Sequence, residues 1–234
     1  MIQDLIRFAN LSADVYGNLD EVSIEGWISK NTFNKHGTQA VAFETQNHLV
    51  IVFRGTEPTE MSDIISDLKA WQTDSESGTG DVHVGFKEAL DRIWSDLEKW
   101  VEARPNKSII TCGHSLGGAL ATLSAQRLNA SECYTYGSPR VGDAKWVTTF
   151  ETKHFRVVNN NDVVPKVPLW VMGFRHTCEP IYLSYAGKIV TMTRLQRFID
   201  SLRGRIRAAS KFQFFDAIYD HSITEYIRFL NKNT

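Results

Sequence analysis

Apolar residues along this chain recur with two different periods, and the places where the period changes mark the predicted elements. Ile2, Leu5, Ile6, Ala9 and Ala13 fall at helical spacing, so the chain opens with an amphipathic helix ending near Tyr16 and Gly17. Thr38 to Glu44 and His48 to Phe53 are strand-like runs around the polar Thr45, Gln46 and Asn47, the pattern of an antiparallel hairpin. Between Glu57 and Trp71, Met61, Ile64, Ile65 and Leu68 fall at i, i+3, i+4 and i+7, with Pro58 and Glu60 suited to a first turn. That spacing predicts a short amphipathic helix. Gln72 to Asp81 is polar and rich in Gly and Ser, a surface loop. Phe86 to Val101 follows as a long helix with Phe86, Leu90, Ile93, Leu97, Trp100 and Val101 on one side, stopping before Pro105.

The second half alternates in the same way. Ser108 to Cys112 is short, apolar and partly β-branched, and Leu116 to Leu128 is rich in Ala and Leu without proline. These read as a buried strand running directly into a helix. Glu132 to Tyr136, Phe155 to Val158 and Ile181 to Tyr185 are further strands, the last being the final strand expected. Met192 to Arg207 is helical, with Leu195, Phe198, Ile199, Leu202 and Ile206 on one face, and Ser222 to Leu230 is a closing helix. No repeat, low-complexity tract or linker interrupts the pattern. The expected fold class is α/β: one domain over residues 1–234, with a largely parallel sheet covered by helices on both faces.

Composition narrows the classes. A chain of 234 residues can build one α/β domain with a substantial core, and 42% hydrophobic with 23% charged residues is ordinary for a globular protein. The formal net charge of −1 gives nothing global that favours nucleic acid. Cys112, Cys133 and Cys178 are an odd number, two of them in apolar runs, which predicts buried free thiols rather than a disulfide framework. Residues 1–10 lack a basic region followed by an apolar one, so no signal peptide is read. No run reaches the roughly 18 apolar residues of a membrane span. The sequence leaves the location open between a cytoplasmic form and a trimmed secreted one.

The chemistry centres on Gly113, His114, Ser115, Leu116 and Gly117, a Gly-x-Ser-x-Gly pentapeptide between the predicted strand and helix. A serine on such a turn is held in a strained conformation with its hydroxyl projecting. Gly113 and Gly117 are required because a Cβ at either would collide with the turn. A serine alone is a weak nucleophile and needs a base and a group to orient it. In α/β-hydrolases these follow in the chain order Ser, acid, His. Asp162 fits the acid, directly after the strand ending at Val158 and within a turn of three asparagines closed by Pro165. Asp143 competes, although Gly142 and Asp143 equally suit a helix start. Of the seven histidines only His176 and His221 come after Asp162. His176 leads into a strand-like run and reads as a packed or hydrogen-bonded residue, whereas His221 sits in a loop just before the last helix. The oxyanion donors expected are the N–H of Leu116 and a group at Thr56, which follows the strand ending at Phe53.

With these residues in place the chain resembles the class 3 lipases, the family of the filamentous-fungal triacylglycerol lipases. The matching stretches are Val52 to Thr56, Val82 to Phe86, Gly113 to Ala121, Tyr136 to Gly142, Asn161 to Pro165, and Asp220 with His221. They cover roughly residues 35 to 225 in the expected order. The resemblance implies an α/β-hydrolase fold, Ser115 as nucleophile, Asp162 as orienting acid, His221 as base, and Thr56 with Leu116 as the oxyanion hole. It also implies a lid over 57–70, with Met61, Ile64, Ile65 and Leu68 closing over an acyl pocket. The implied activity is hydrolysis of a lipid or other carboxylic ester. Alternatives are phospholipase A1 or galactolipase activity on the same fold, or a catalytically silent binding protein. No metal or cofactor is expected, and no histidine–glutamate zinc motif appears.

One charged stretch stands apart. Lys188 to Lys211 holds seven basic residues, Lys188, Arg194, Arg197, Arg203, Arg205, Arg207 and Lys211, against one acid, Asp200. The plainer expectation is a helix packed on the core by its apolar face with its charges solvated. The other is a basic amphipathic helix over 188–211 in transient contact with an anionic membrane.

Overall fold

The apolar runs become strands of two sheets in the computed structural model of this chain. The structure describes residues 1–56, 72–75, 78–210 and 220–234, and the side chains of all of these except 194 and 204–210. In chain order the strands are β1 (Ser29–Lys35), β2 (Thr38–Glu44), β3 (His48–Phe53), β4 (Gln72–Asp74), β5 (Asp81–His83) and β6 (Ser108–His114). They continue as β7 (Glu132–Tyr136), β8 (Gly142–Asp143), β9 (Lys153–Asn159), β10 (Phe174–Arg175), β11 (Ile181–Leu183) and β12 (Ile189–Val190). The helices described are α1 (Ile2–Asp14), α2 (Val84–Glu102), α3 (Leu116–Arg127), α4 (Ala144–Thr148), α5 (Arg194–Ser210) and α6 (Ile223–Asn231).

The larger sheet has the order β1-β2-β3-β6-β7-β9-β11-β12. β3, β6, β7, β9 and β11 are parallel neighbours, while β1, β2 and β12 pair antiparallel at the edges. Period-two alternation sends each side chain to one of two cores. On β3, Val50 and Val52 join Leu5 and Phe8 of α1 and Tyr226 and Phe229 of α6, whereas Leu49, Ile51 and Phe53 join Leu90 and Leu97 of α2 and Leu120 of α3. α3 is buried almost all round, which suits its Gly, Ala and Leu composition. A mostly parallel sheet between two helical layers results, the α/β-hydrolase arrangement read from the sequence.

Several elements differ from the sequence reading. The expected loop at 72–81 contains β4 and ends at β5, and these build a second sheet in the order β10-β8-β5-β4. β11 stops at Leu183 and is followed by β12, so the strand at 181 is not the last. β1, Ser29–Lys35, is mostly polar because it is an edge strand paired only to β2. The predicted lid, with Met61, Ile64, Ile65 and Leu68, lies outside the described residues.

The packed-helix expectation for α5 is overturned. Leu195 and Phe198 are 69% and 67% exposed, Ile199 and Leu202 are also exposed, and Asp200 is 3% exposed. The helix is seated by its polar side. Asp200 accepts from the Tyr185 N–H at 3.0 Å and lies 3.1 Å from the Tyr182 hydroxyl, Ser201 Oγ donates to Asn161 Oδ1 at 2.8 Å, and Arg197 bonds Glu179 at 2.9 Å. A buried carboxylate needs donors, and these exist only on the protein side, so the apolar stripe faces outward.

The thiols follow the expectation of free cysteines. Cys112 and Cys133 are buried, Cys178 is half-buried, and burial pushes the Cys133 thiol up to about 12. No helix among the described residues is long and apolar enough to cross a membrane.

Candidate active site

β6 leads straight into α3, and the single residue between them is Ser115, with φ 57° and ψ −129°. Positive φ at a non-glycine residue is uncommon and costly, and here packing enforces it. The Ser115 N–H donates to the Tyr136 carbonyl of β7 at 3.0 Å, and the Ser115 carbonyl accepts from Gly118 N at 2.9 Å. A Cβ at Gly113 would sit 2.9 Å from Gly118 N and closer still to the Gly117 carbonyl. A Cβ at Gly117 would lie 2.9 Å from Arg54 C and Gly55 N and closer still to the Phe53 carbonyl. Both glycines are therefore required by close backbone approach, as expected from the pentapeptide.

The same crowding brings the end of β3 to the turn. A Cβ at Gly55 would stand 2.6 Å from the His114 carbonyl, so Gly55 runs alongside the elbow and Thr56 is the next residue. Leu116 is the first residue of α3, where N–H groups have no intrahelical acceptor and the helix dipole is positive.

Asp162 follows β9 and is fully buried. Its Oδ1 accepts from Val164 N at 2.9 Å, and its Oδ2 accepts from the Tyr226 hydroxyl of α6 at 2.5 Å. His221 Nδ1 lies 2.8 Å from Oδ2 and 3.0 Å from Oδ1. A carboxylate only accepts, so Nδ1 carries a proton, and in the neutral imidazole the lone pair is therefore on Nε2. Among the described residues Nε2 has no hydrogen-bond partner. Burial first, and then the Asp162 charge, push the Tyr226 phenol well above its ordinary range, so it stays a donor.

Gly137, with φ 59°, closes the arrangement. A Cβ there would fall 2.7 Å from Asp162 Oδ2 and 2.9 Å from His221 Cε1, so only glycine lets the end of β7 pass beneath the pair. Its neighbour Tyr136 holds the Ser115 peptide, and the His114 ring lies 4.5 Å from that of His221. Asp162 and His221 are thus hydrogen-bonded, with Ser115 one residue away from a ring that touches the base. A buried serine at a strained helix start, next in sequence to a ring that lies against a carboxylate-oriented imidazole, suits nucleophilic acyl chemistry.

The competing residues have other work. Asp143 caps α4 by accepting from Trp146 N at 2.7 Å, the helix-start role that its sequence position suggested. His176 is buried and bonded to the Pro165 carbonyl at 2.8 Å, a packed histidine as expected. Three residues around the site were not singled out by sequence reasoning. Tyr226 and Tyr16, whose hydroxyl lies 2.9 Å from His114 Nδ1, carry no local signal of their role, and Gly137 is visible only as part of the Tyr136 to Gly142 stretch.

Comparison with known proteins identifies the chain's relatives. The family model described as lipase (class 3) matches residues 50–172. A secreted mono- and diacylglycerol lipase of Fusarium solani is 39% identical over 113 residues, which are 44% of this chain and 34% of that protein. One from Penicillium cyclopium is 30% identical over 212 residues, 79% of this chain and 65% of the relative. The chain therefore spans from about a third to just under two thirds of these curated relatives. The solved triacylglyceride lipase of Rhizomucor miehei superposes with a TM-score of 0.66 at 27% identity, covering 78% of this chain and 80% of that one. With the match spanning the elbow, the Asp162 loop and most of the parallel sheet, the chain belongs to the class 3 lipase family.

Proposed function

We propose that this chain is a serine carboxylester hydrolase acting on acylglycerols or related lipid esters. The observation that carries the reading is the buried Asp162–His221 pair, whose imidazole lies against the ring of His114, the residue bonded to the strained Ser115. His221 Nε2 takes the proton from Ser115 Oγ as it attacks the ester carbonyl, and Asp162 holds the imidazole and balances its charge. The N–H of Leu116 and a donor at Thr56 stabilise the oxyanion. His221 then protonates the leaving alcohol, and water repeats the sequence to release the acid. We read residues 1–234 as one α/β-hydrolase domain, and the lid expected over 57–70, with Met61, Ile64, Ile65 and Leu68, lies outside the described residues.

The named substrates of the Fusarium, Penicillium and Rhizomucor relatives support glycerides over other esters. Two of those relatives are named as secreted, which supports an exported form over the cytoplasmic one. Labelling with a fluorescent alkylphosphonate and hydrolysis of p-nitrophenyl esters of increasing chain length test the reading. Wild type should label and turn over, and Ser115→Ala should do neither. A folded wild type that neither labels nor turns over, with detergent present, would overturn it in favour of a binding protein. Release of fatty acid from phospholipid or galactolipid but not from glyceride would move the substrate class to phospholipase A1 or galactolipase.

The outward apolar stripe of α5 favours contact with a lipid surface. Leu195, Phe198, Ile199 and Leu202 are exposed on a helix whose neighbourhood is strongly basic, and the exposed Leu169, Trp170, Val171 and Met172 follow the Asp162 loop. Apolar residues flanked by arginines suit an anionic bilayer. Wild type should co-sediment with vesicles containing phosphatidylserine, and Phe198→Asp or charge reversal at Arg203, Arg205 and Arg207 should release it. Sedimentation indifferent to both changes would sink the surface role.

A further inference from the structure

The middle residue of the elbow, His114, is buried and takes no part in the chemistry above. Its ring is nonetheless fully engaged. Nε2 lies 2.7 Å from the His221 carbonyl oxygen and Nδ1 lies 2.9 Å from the Tyr16 hydroxyl. A carbonyl only accepts, so Nε2 carries the proton, and Nδ1 accepts from the tyrosine O–H. Burial, with His221 beside it, holds the imidazole well below the usual histidine range, so the ring stays neutral with that one tautomer. Its face lies against the catalytic imidazole at 4.5 Å, inclined by 33°.

The neighbouring carbonyl is held in the same manner from the other side. Asn159 Nδ2, at the end of the strand that leads to Asp162, donates to the Asp220 carbonyl at 2.9 Å. Two consecutive carbonyls of the loop carrying His221 are therefore gripped, one from the acid side and one from the nucleophile side. Side-chain partners alone would leave the His221 backbone free to slide while Nδ1 kept its carboxylate. These main-chain bonds remove that freedom.

We infer that His114 is a positioning residue that indexes the main chain of His221 to the nucleophile, with Tyr16 holding its tautomer. The inference rests on the reading of Ser115 and His221 as nucleophile and base. It follows from covalent connection: His114 is bonded to Ser115 through one peptide and to the His221 carbonyl through one hydrogen bond. Any drift of the base away from Ser115 must stretch that bond. Misplacement by about 1 Å costs on the order of a hundredfold in rate, and the effect falls on kcat because substrate binding does not depend on the base.

The test compares three variants of the full chain by ester hydrolysis and alkylphosphonate labelling, with thermal melts to show folding. His114→Phe keeps an aromatic ring but removes the donor to His221, and should lower kcat and the labelling rate by roughly a hundredfold with KM within about twofold. His114→Gln can still donate an amide N–H to the same carbonyl, and should recover kcat to within about tenfold of wild type. Tyr16→Phe leaves Nδ1 without its donor and should lower kcat by a smaller factor, again with KM unchanged. A folded His114→Phe with wild-type kcat would overturn the inference, as would His114→Gln no better than His114→Phe. Should His114→Phe fail to fold, Tyr16→Phe decides, and a wild-type kcat there is the refuting result. Failure of the hydrolase reading itself is separate, because it would show as an unlabelled wild type or an active Ser115→Ala.

Discussion

Gly117→Ala is the change that most directly tests whether the elbow and the 54–56 segment act as one unit. The new Cβ would stand 2.9 Å from Arg54 C and Gly55 N, and nearer to the Phe53 carbonyl, where ordinary contact begins at 3.4 Å. All three obstacles are backbone atoms, so no side chain can swing aside. Relief requires that the start of α3 and the end of β3 separate by about half an ångström to one ångström. That movement shifts the 54–56 segment away from the start of α3 and so widens the proposed oxyanion hole of Thr56 and Leu116. Overpacking of this kind costs ~1–3 kcal/mol. For a chain of this size, at about 2–4 °C per kcal/mol, the melting temperature should fall by about 5 °C. The rate effect should be larger, a loss in kcat of roughly tenfold to a hundredfold with KM little changed. Hydrolysis of a short soluble p-nitrophenyl ester, beside a thermal melt, reads both quantities. Gly17→Ala serves as the control, since its Cβ would meet only Asp14 O at an ordinary 3.4 Å. A folded Gly117→Ala enzyme with kcat within twofold of wild type would refute the coupling between the elbow and Thr56.

Two further outcomes follow from polar contacts. Tyr226→Phe removes the donor to Asp162 Oδ2 and the oxygen that accepts from Asn159 N at 3.0 Å, so it should cost about 2–3 kcal/mol of stability. Weaker orientation of His221 should also lower kcat roughly tenfold, the equivalent of about 1.4 kcal/mol, and an unchanged melt with unchanged kcat would contradict this. Glu44 accepts from Ser29 Oγ at 2.7 Å and from Lys107 and Arg104 at 3.0 Å, and these bonds hold its carboxyl down at about 2 against an ordinary 4.5. A depressed carboxylate stabilises the folded state above the unfolded value and loses that contribution as the pH falls through the folded value. The melting gap between wild type and Glu44→Gln should therefore be full above pH 4.5 and shrink as pH falls toward 2, and a gap independent of pH would contradict the assignment.

What the amino-acid sequence determined by itself was whatever is encoded locally. The Ser115 elbow is legible because a strand, two glycines and a helix lie within about twenty consecutive residues, and each carries its own propensity. The parallel strands are legible because both their faces are buried, which leaves continuous apolar runs such as Leu49 to Phe53. Asp162 and His221 were reachable because chain order restricts where an acid and a base can follow a nucleophile. The second sheet was not legible, since β8 and β10 are two residues long and no period can be read at that length. The seating of α5 was not legible either. A helical period shows that two faces differ, and only the donors offered by Tyr182 and Tyr185 decided that Asp200 turns inward and Phe198 outward. The bonds that finish the site, Tyr226 to Asp162 and His114 to the His221 carbonyl, join groups 64 and 107 positions apart. Hydrogen bonds at such separation leave no mark on local sequence, because they exist only once packing has brought their elements together and excluded the water that would otherwise take each donor.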